Sequence, residues 1–193
     1  MTDTHHTSRR QLLLTSMAAC MGSTVLSGCA SGPDINDYSQ EKPTLDLRQY
    51  FNGVLDAWGV FTDRQGKVVK RFTVVMNCQW RTSELGDVGV LDEDFVYSDG
   101  TTQKRIWHLQ HLGQGAYRGR ADDVVGQAQG QTRGNTFRWG YTLALPVDGR
   151  VWHVDMDDWM FLMNDHVMLN KARMTKWGIH LGDVTLSFQR RGS

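Results

Sequence analysis

Thr136-Phe137-Arg138-Trp139-Gly140-Tyr141-Thr142-Leu143-Ala144-Leu145 reads as one antiparallel strand. Phe137, Trp139, Tyr141, Leu143 and Leu145 fall on one side of it, and Thr136, Arg138, Gly140, Thr142 and Ala144 on the other. A side-chain period of two belongs to an extended chain with one dry face and one wetter face. Arg133-Gly134-Asn135 before it and Val147-Asp148-Gly149 after it are turn signals, so the strand is bounded by a reversal at each end.

The same period extends outward in both directions. Phe72, Val74, Met76, Cys78 and Trp80 oppose Arg71, Thr73, Asn77, Gln79 and Arg81. Trp152, Val154, Met156 and Met160 alternate with His153, Asp155, Asp157 and Trp159; Val184, Leu186 and Phe188 alternate with Asp183, Thr185, Ser187 and Gln189. Turn signals recur at Asp63-Arg64-Gln65-Gly66, Ser98-Asp99-Gly100, Gly113-Gln114-Gly115, Asn164-Asp165 and Trp177-Gly178. Such spacing predicts an all-β domain of about eight to ten strands, an antiparallel meander closed into a barrel or folded as a sandwich. A short helix is expected at most near Leu45 to Phe51, where neither period fits well.

Ahead of this domain stands an export segment. A polar start ends in Arg9 and Arg10, an uncharged apolar core runs from Leu12 to Leu26, and Leu26-Ser27-Gly28-Cys29 has the form of a bacterial lipobox. The core is too short for a comfortable span of a bilayer about 30 Å thick, so residues 1–28 are expected to be removed as a lipoprotein signal peptide. Cys29 is the expected lipidation site. Each buried methylene contributes about 0.8 kcal/mol, so several acyl chains there would hold the protein to a membrane. Ser8-Arg9-Arg10-Gln11-Leu12-Leu13 resembles the twin-arginine export motif as well as an ordinary signal, and the export route stays open. Ala30, which is not an Asp, favours the periplasmic face of the outer membrane. The polar, turn-rich stretch that follows makes 29–44 a lipidated N-terminus and flexible tether, and 45–193 the barrel domain.

Charge narrows the partners. Without Arg9, Arg10 and Asp3, 19 basic and 20 acidic side chains remain, so no strong field exists to recruit nucleic acid. Cys20 falls in the export segment and Cys29 carries lipid, which leaves Cys78 alone as a small buried hydrophobe in a strand. No nucleophile elbow, phosphate-cradling loop or cysteine-based zinc pattern occurs, and neither cofactor nor metal is expected.

Two acidic groups are candidates for chemistry. His153, Asp155 and Asp157 project from one side of a strand, with Asp158 beside them, and imidazole with carboxylates can bind a divalent metal or move protons. A solvated, salt-bridged outer face is the simpler expectation. In Asp92-Glu93-Asp94, neighbouring residues alternate in direction, so only Asp92 and Asp94 can cooperate as paired carboxylates. One polar residue inside a barrel, matched to Arg105 or Arg173, is the plainer outcome there. Phe72, Val74, Met76, Trp80, Phe137, Trp139, Tyr141, Trp152, Met156, Met168 and Asn170 are expected to line an interior, with Asn170 making a structural hydrogen bond as the plainer outcome, or orienting a head group. Methionine and aromatic side chains suit an apolar ligand cavity, or simply fill a small barrel.

Trp58-Gly59-Val60-Phe61 with Asp63-Arg64-Gln65-Gly66, the central Asp92-Glu93-Asp94-Phe95, and Leu169-Asn170-Lys171-Ala172-Arg173-Met174 followed by Gly178 and Leu181-Gly182-Asp183-Val184-Thr185 together resemble the DUF3833 family of bacterial lipoproteins. The resemblance implies a lipocalin-like, calycin-type barrel and lipid-related work in the envelope, and assigns no activity to any residue. The sequence-based expectation is therefore a membrane-tethered barrel that holds a fatty acyl or other apolar molecule. A lipid-modifying enzyme using the acidic residues, or a purely structural envelope lipoprotein, are the alternatives.

Overall fold

Ten strands follow one another round a barrel: β1 (Gly53–Asp63), β2 (Val68–Ser83), β3 (Gly86–Tyr97), β4 (Thr102–Gly113), β5 (Ala116–Arg120), β6 (Val124–Arg133), β7 (Thr136–Val147), β8 (Arg150–Leu162), β9 (Val167–Lys176) and β10 (Ile179–Arg190). The computed structural model describes residues 32–192 apart from positions 85 and 148; the expected export segment and the expected lipidation site Cys29 lie outside the described residues. Every neighbour in sequence pairs antiparallel with the next, and β1 pairs with β10, Ala57 opposite Phe188 and Phe61 opposite Val184. Closure removes the two unpaired edges that an open meander would present to other chains. It also settles the barrel against the sandwich.

The turns form where the sequence supplies their chemistry. Asp63 accepts hydrogen bonds on its carboxylate from the backbone N–H of Gln65 and of Lys67, and Gly66 takes φ +83°, a left-handed conformation that a side chain disfavours. Asn164 does the same for His166 and Val167. The connections after β1, β3, β5, β7 and β9 gather at one end of the barrel, here the mouth. Those after β2, β4, β6 and β8 gather at the other.

That second end is plugged. The helix α1 (Leu47–Tyr50) has only four residues, too short to persist without packing, and its N-cap Asp46 accepts from Arg48 N–H at 2.9 Å. Leu47, Tyr50 and Phe51 bury almost completely against the barrel floor. The Tyr50 hydroxyl donates to the carbonyls of His166 and Phe188, Arg48 bridges to Asp87, and Tyr117 donates to Asp46. The helix expected near Leu45 to Phe51 is thus present, and its role is to close the barrel.

The stretch read as a flexible tether, 29–44, needs correction from Pro33 onward. Ile35–Tyr38 forms a 3-10 turn capped by Asp34, and Ile35 is buried. Residues three apart eclipse one another on a 3-10 turn, so Ile35 and Tyr38 face the same way. The Tyr38 ring meets Trp159 and Phe161 edge-on at 5.8 and 5.4 Å. Two apolar side chains inside a polar composition dock the segment, and they cover Trp159, which the strand period turns outward. The barrel, its plug and its core all lie within the compact unit Pro33–Ser193. No helix among the described residues is long and apolar enough to cross a membrane.

Candidate functional site

The inner wall is built from one face of each strand, and its rows follow from register. On β3, Gly89, Leu91, Glu93, Phe95 and Tyr97 point inward; opposite them on β4 stand Leu109, Trp107, Arg105 and Gln103. On β8, Met156, Asp158 and Met160 point inward, flanked by Tyr141, Trp139 and Phe137 of β7 and by Met174, Ala172 and Asn170 of β9. The wall therefore has three levels. Near the plug it is dry, with Leu55, Met76, Leu109, Phe137, Met168 and Phe188 buried. In the middle, Glu93, Arg105, Asp158 and Asn170 bring polar groups into the interior. Toward the mouth the wall is apolar again but only half-buried, with Phe61, Phe72, Phe95, Leu145, Val184 and Leu186 packed at the edge of the core.

The polar level is tightly constructed on one side. Asp158, 5% exposed, accepts from Trp139 Nε1 at 2.9 Å, from the Tyr141 hydroxyl at 3.1 Å and from Asn170 Nδ2. Asn170 donates also to the Trp159 carbonyl at 3.1 Å, which fixes its amide. Burial nevertheless pushes the Asp158 carboxyl up to about 6, because three hydrogen bonds only partly replace water round a charge. The Tyr141 hydroxyl is held well above its ordinary range by burial and by Asp158.

Opposite lies a looser pair. Arg105 gives its hydrogen bonds to Asp123, which sits in the turn between β5 and β6 at the mouth: Nη2 to Oδ2 at 2.6 Å, and Nε to Oδ2 at 2.9 Å. Burial works against the guanidinium charge, but Glu93 and Asp123 outweigh it. Glu93 faces Arg105 across the ladder and is 8% exposed, yet no hydrogen bond from a described residue reaches its carboxyl. Burial pushes that carboxyl up to about 7; Arg105 opposes the shift, while Asp123, Asp158 and Asp92 add to it. On its plug side Glu93 borders a cavity of about 30 Å³, otherwise lined by apolar side chains that include Leu47, Phe51, Met76, Trp107, Phe137 and Met160.

The expected lining residues divide between these levels. Val74, Met76, Phe137, Trp139, Met156, Met168 and Asn170 are buried on the inner wall, while Phe72, Trp80 and Tyr141 are partly buried there. Trp152 is placed otherwise: it is 41% exposed, with Lys176 Nζ 4.1 Å from the ring centroid. Its strand parity is inward, but the chain at the β7–β8 hairpin has already passed the rim. The interior space beside Glu93 is far smaller than an acyl-sized cavity, because bulky side chains fill the barrel there. A 30 Å³ space has room for about one or two waters, against roughly 300 Å³ or more for an ordinary ligand pocket.

The expected catalytic residues do not converge. Asp92 and Asp94 lie on the outer face and share Lys104, at 2.6 and 2.9 Å. Asp157 pairs with Arg138, Asp155 accepts from Thr142, and His153 is exposed beside them. These are the ion pairs of a wetted outer wall, and no three metal-ligating side chains come together among the described residues. The Cys78 thiol is buried and pushed up, which makes it a poor nucleophile. A larger hollow of about 420 Å³ lies on the outside, bordered by Arg81, His108, Arg118 and Arg120, away from the polar level.

Reading Asp92 and Asp94 as the cooperating pair passed over Glu93. The signal was present: Leu91 and Phe95 two residues away on either side mark the dry face, so the residue between them points inward. Asp123 carried no such signal, since nothing local ties a turn residue to Arg105.

The family model described as a protein of unknown function, DUF3833, matches residues 23–190. The curated proteins contain no match. Among solved structures, the S-type phycobiliprotein lyase CPES from Guillardia theta superposes with a TM-score of 0.58 at 8% identity, over 83% of this chain and 99% of that one. A protein of unknown function from the DUF3598 family of Nostoc punctiforme superposes with a TM-score of 0.52 at 12% identity, over 78% of this chain and 51% of that one. At these identities the likeness is one of fold, a calycin-like closed barrel, and reaches no residue of the site.

Proposed function

The chain belongs to the DUF3833 family, and from that starting point we propose that it is a binding module of the cell envelope: a calycin-like barrel, tethered by lipid on Cys29, that takes an apolar small molecule at its mouth. The observation that carries this reading is the uneven burial of the inner wall. Phe61, Phe72, Phe95, Leu145, Val184 and Leu186 stay half-buried at the mouth, whereas the same faces are sealed at the plug. Apolar side chains left partly in water at one end of a closed barrel are what an apolar guest would cover, at roughly 25 cal/mol for each Å² removed from water.

Several features support this against an enzyme. The paired carboxylates of the outer wall are engaged in surface ion pairs and hydrogen bonds. Among the described residues, the inward carboxyls stand beside no activated nucleophile. A lipid anchor at Cys29 would keep the mouth near a membrane, where apolar molecules are concentrated, and the periplasmic face of the outer membrane is the site Ala30 favours. The bound body would rest on the Phe72, Phe95 and Tyr97 rings, which already meet at about 6 Å.

Native mass spectrometry of the chain from Pro33 onward, purified from an envelope-containing extract and followed by solvent extraction, tests the reading. A reproducible apolar species released in stoichiometric amount supports it. Repeated recovery of the empty barrel, with no apolar probe quenching its tryptophans, sinks it.

A further inference from the structure

The charge balance of the polar level says what kind of head group a guest would carry. Within the interior, Arg105 is already neutralised by the bidentate hold of Asp123. Two carboxyls remain beyond that pair. Asp158 is filled by three donors, whereas Glu93 is nine-tenths buried, has no hydrogen bond from any described residue and opens onto the 30 Å³ cavity. The polar level therefore holds an acceptor with no hydrogen bond from a described residue, and more carboxyls than cations. A carboxylate guest would meet Glu93, Asp123 and Asp158 at close range in a poorly solvated space, and Arg105, the cation opposite Glu93, is already held by Asp123.

The geometry points to a guest whose head is a hydrogen-bond donor, an ammonium first and a hydroxyl second, seated on Glu93 with its apolar body in the mouth. This rests on the reading of the barrel as a binding module and narrows the guest it takes. The row Glu93, Phe95, Tyr97 runs along one face of β3 from the polar level to the rim. A chain lying along Phe95 and Tyr97 would thus bring its end to Glu93. The cavity beside Glu93 suits a head of about one heavy atom, since a space of this size holds about a water or two. Met76 and Met160 on its wall are the side chains best able to yield.

The test uses three probes of one chain length, dodecylamine, dodecanol and dodecanoate, each below its micellar concentration. They are titrated into the chain from Pro33 onward while its tryptophan fluorescence is followed. Hydrogen bonds to a charged group contribute about 1.5–3 kcal/mol, so dodecylamine should bind at least about tenfold more tightly than dodecanoate. Glu93→Gln keeps an acceptor and loses the charge; it should lower dodecylamine affinity by about tenfold and leave dodecanol nearly unchanged. Dodecanoate binding as tightly as dodecylamine, or a dodecylamine affinity untouched by Glu93→Gln, would overturn the inference while leaving a binding barrel in place. Binding of none of the three would remove the binding module itself, and this inference with it.

Discussion

Glu93 and Arg105 stand directly opposite one another on β3 and β4, both facing the interior, yet Arg105 is clamped by Asp123 from the mouth and Glu93 is left without a hydrogen bond from any described residue. An ion pair expected from register alone is thus diverted to a third residue 18 positions along the chain. The interior keeps a carboxyl that no hydrogen bond from a described residue satisfies.

Stability should fall as pH rises from about 4 to 7. The folded state pushes Glu93 up to about 7 and Asp158 up to about 6, so between the ordinary carboxyl range and these values it binds more protons than the unfolded chain. The stability these groups contribute is complete below their unfolded pKa and is lost as pH passes through the folded values. Thermal melts across this window should show a declining Tm, reporting a loss of stability on the order of a few kcal/mol in total. Glu93→Gln should flatten the decline and raise Tm above neutrality; an unchanged slope would count against a buried ionising Glu93.

Asp158 and Asp157 are neighbours with opposite prospects. Asp158→Ala strands the Trp139 N–H, the Tyr141 hydroxyl and the Asn170 amide, each unpaired buried group costing about 1–3 kcal/mol. Asp157→Ala removes an exposed pairing with Arg138 and should cost about 1 kcal/mol or less. Urea denaturation of the two variants measures the contrast.

The plug should be sensitive from both of its contacts. Leu47→Ala deletes a side chain that is 1% exposed and should destabilise by about 2–5 kcal/mol. Gly134→Ala places a Cβ against the Tyr38 carbonyl oxygen at a φ of +52°. It should lift the 3-10 turn from the barrel while the strands persist. Limited proteolysis would then cut between residues 33 and 44 in the Gly134→Ala variant first, with strand circular dichroism retained.

Cys29→Ser should release the protein from the membrane fraction and abolish any mass gain from acylation. Fractionation with intact-mass measurement checks this, and a variant that still carries lipid mass would refute the anchor.

A meander of about eight to ten strands, most of the turn positions and the buried faces of β2, β7, β8 and β10 were legible in the sequence, because a period of two and the chemistry of Asp, Asn and Gly turns act over a few residues. Phe137, Trp139 and Tyr141 enter the interior as their alternation requires. Glu93 was legible by the same rule, from Leu91 and Phe95 at its sides. The docking of Ile35 and Tyr38 was not, since their partners Trp159 and Phe161 are more than a hundred residues away and the local composition is that of a linker.

The sequence by itself determined that this chain makes antiparallel strands with one dry face, because side-chain direction is set residue by residue. Only the tertiary structure decided that β1 meets β10, that α1 stops one end, and that Asp123 reaches Arg105 before Glu93 does. Those outcomes depend on how far apart strands lie round a closed wall, and no local period carries that distance.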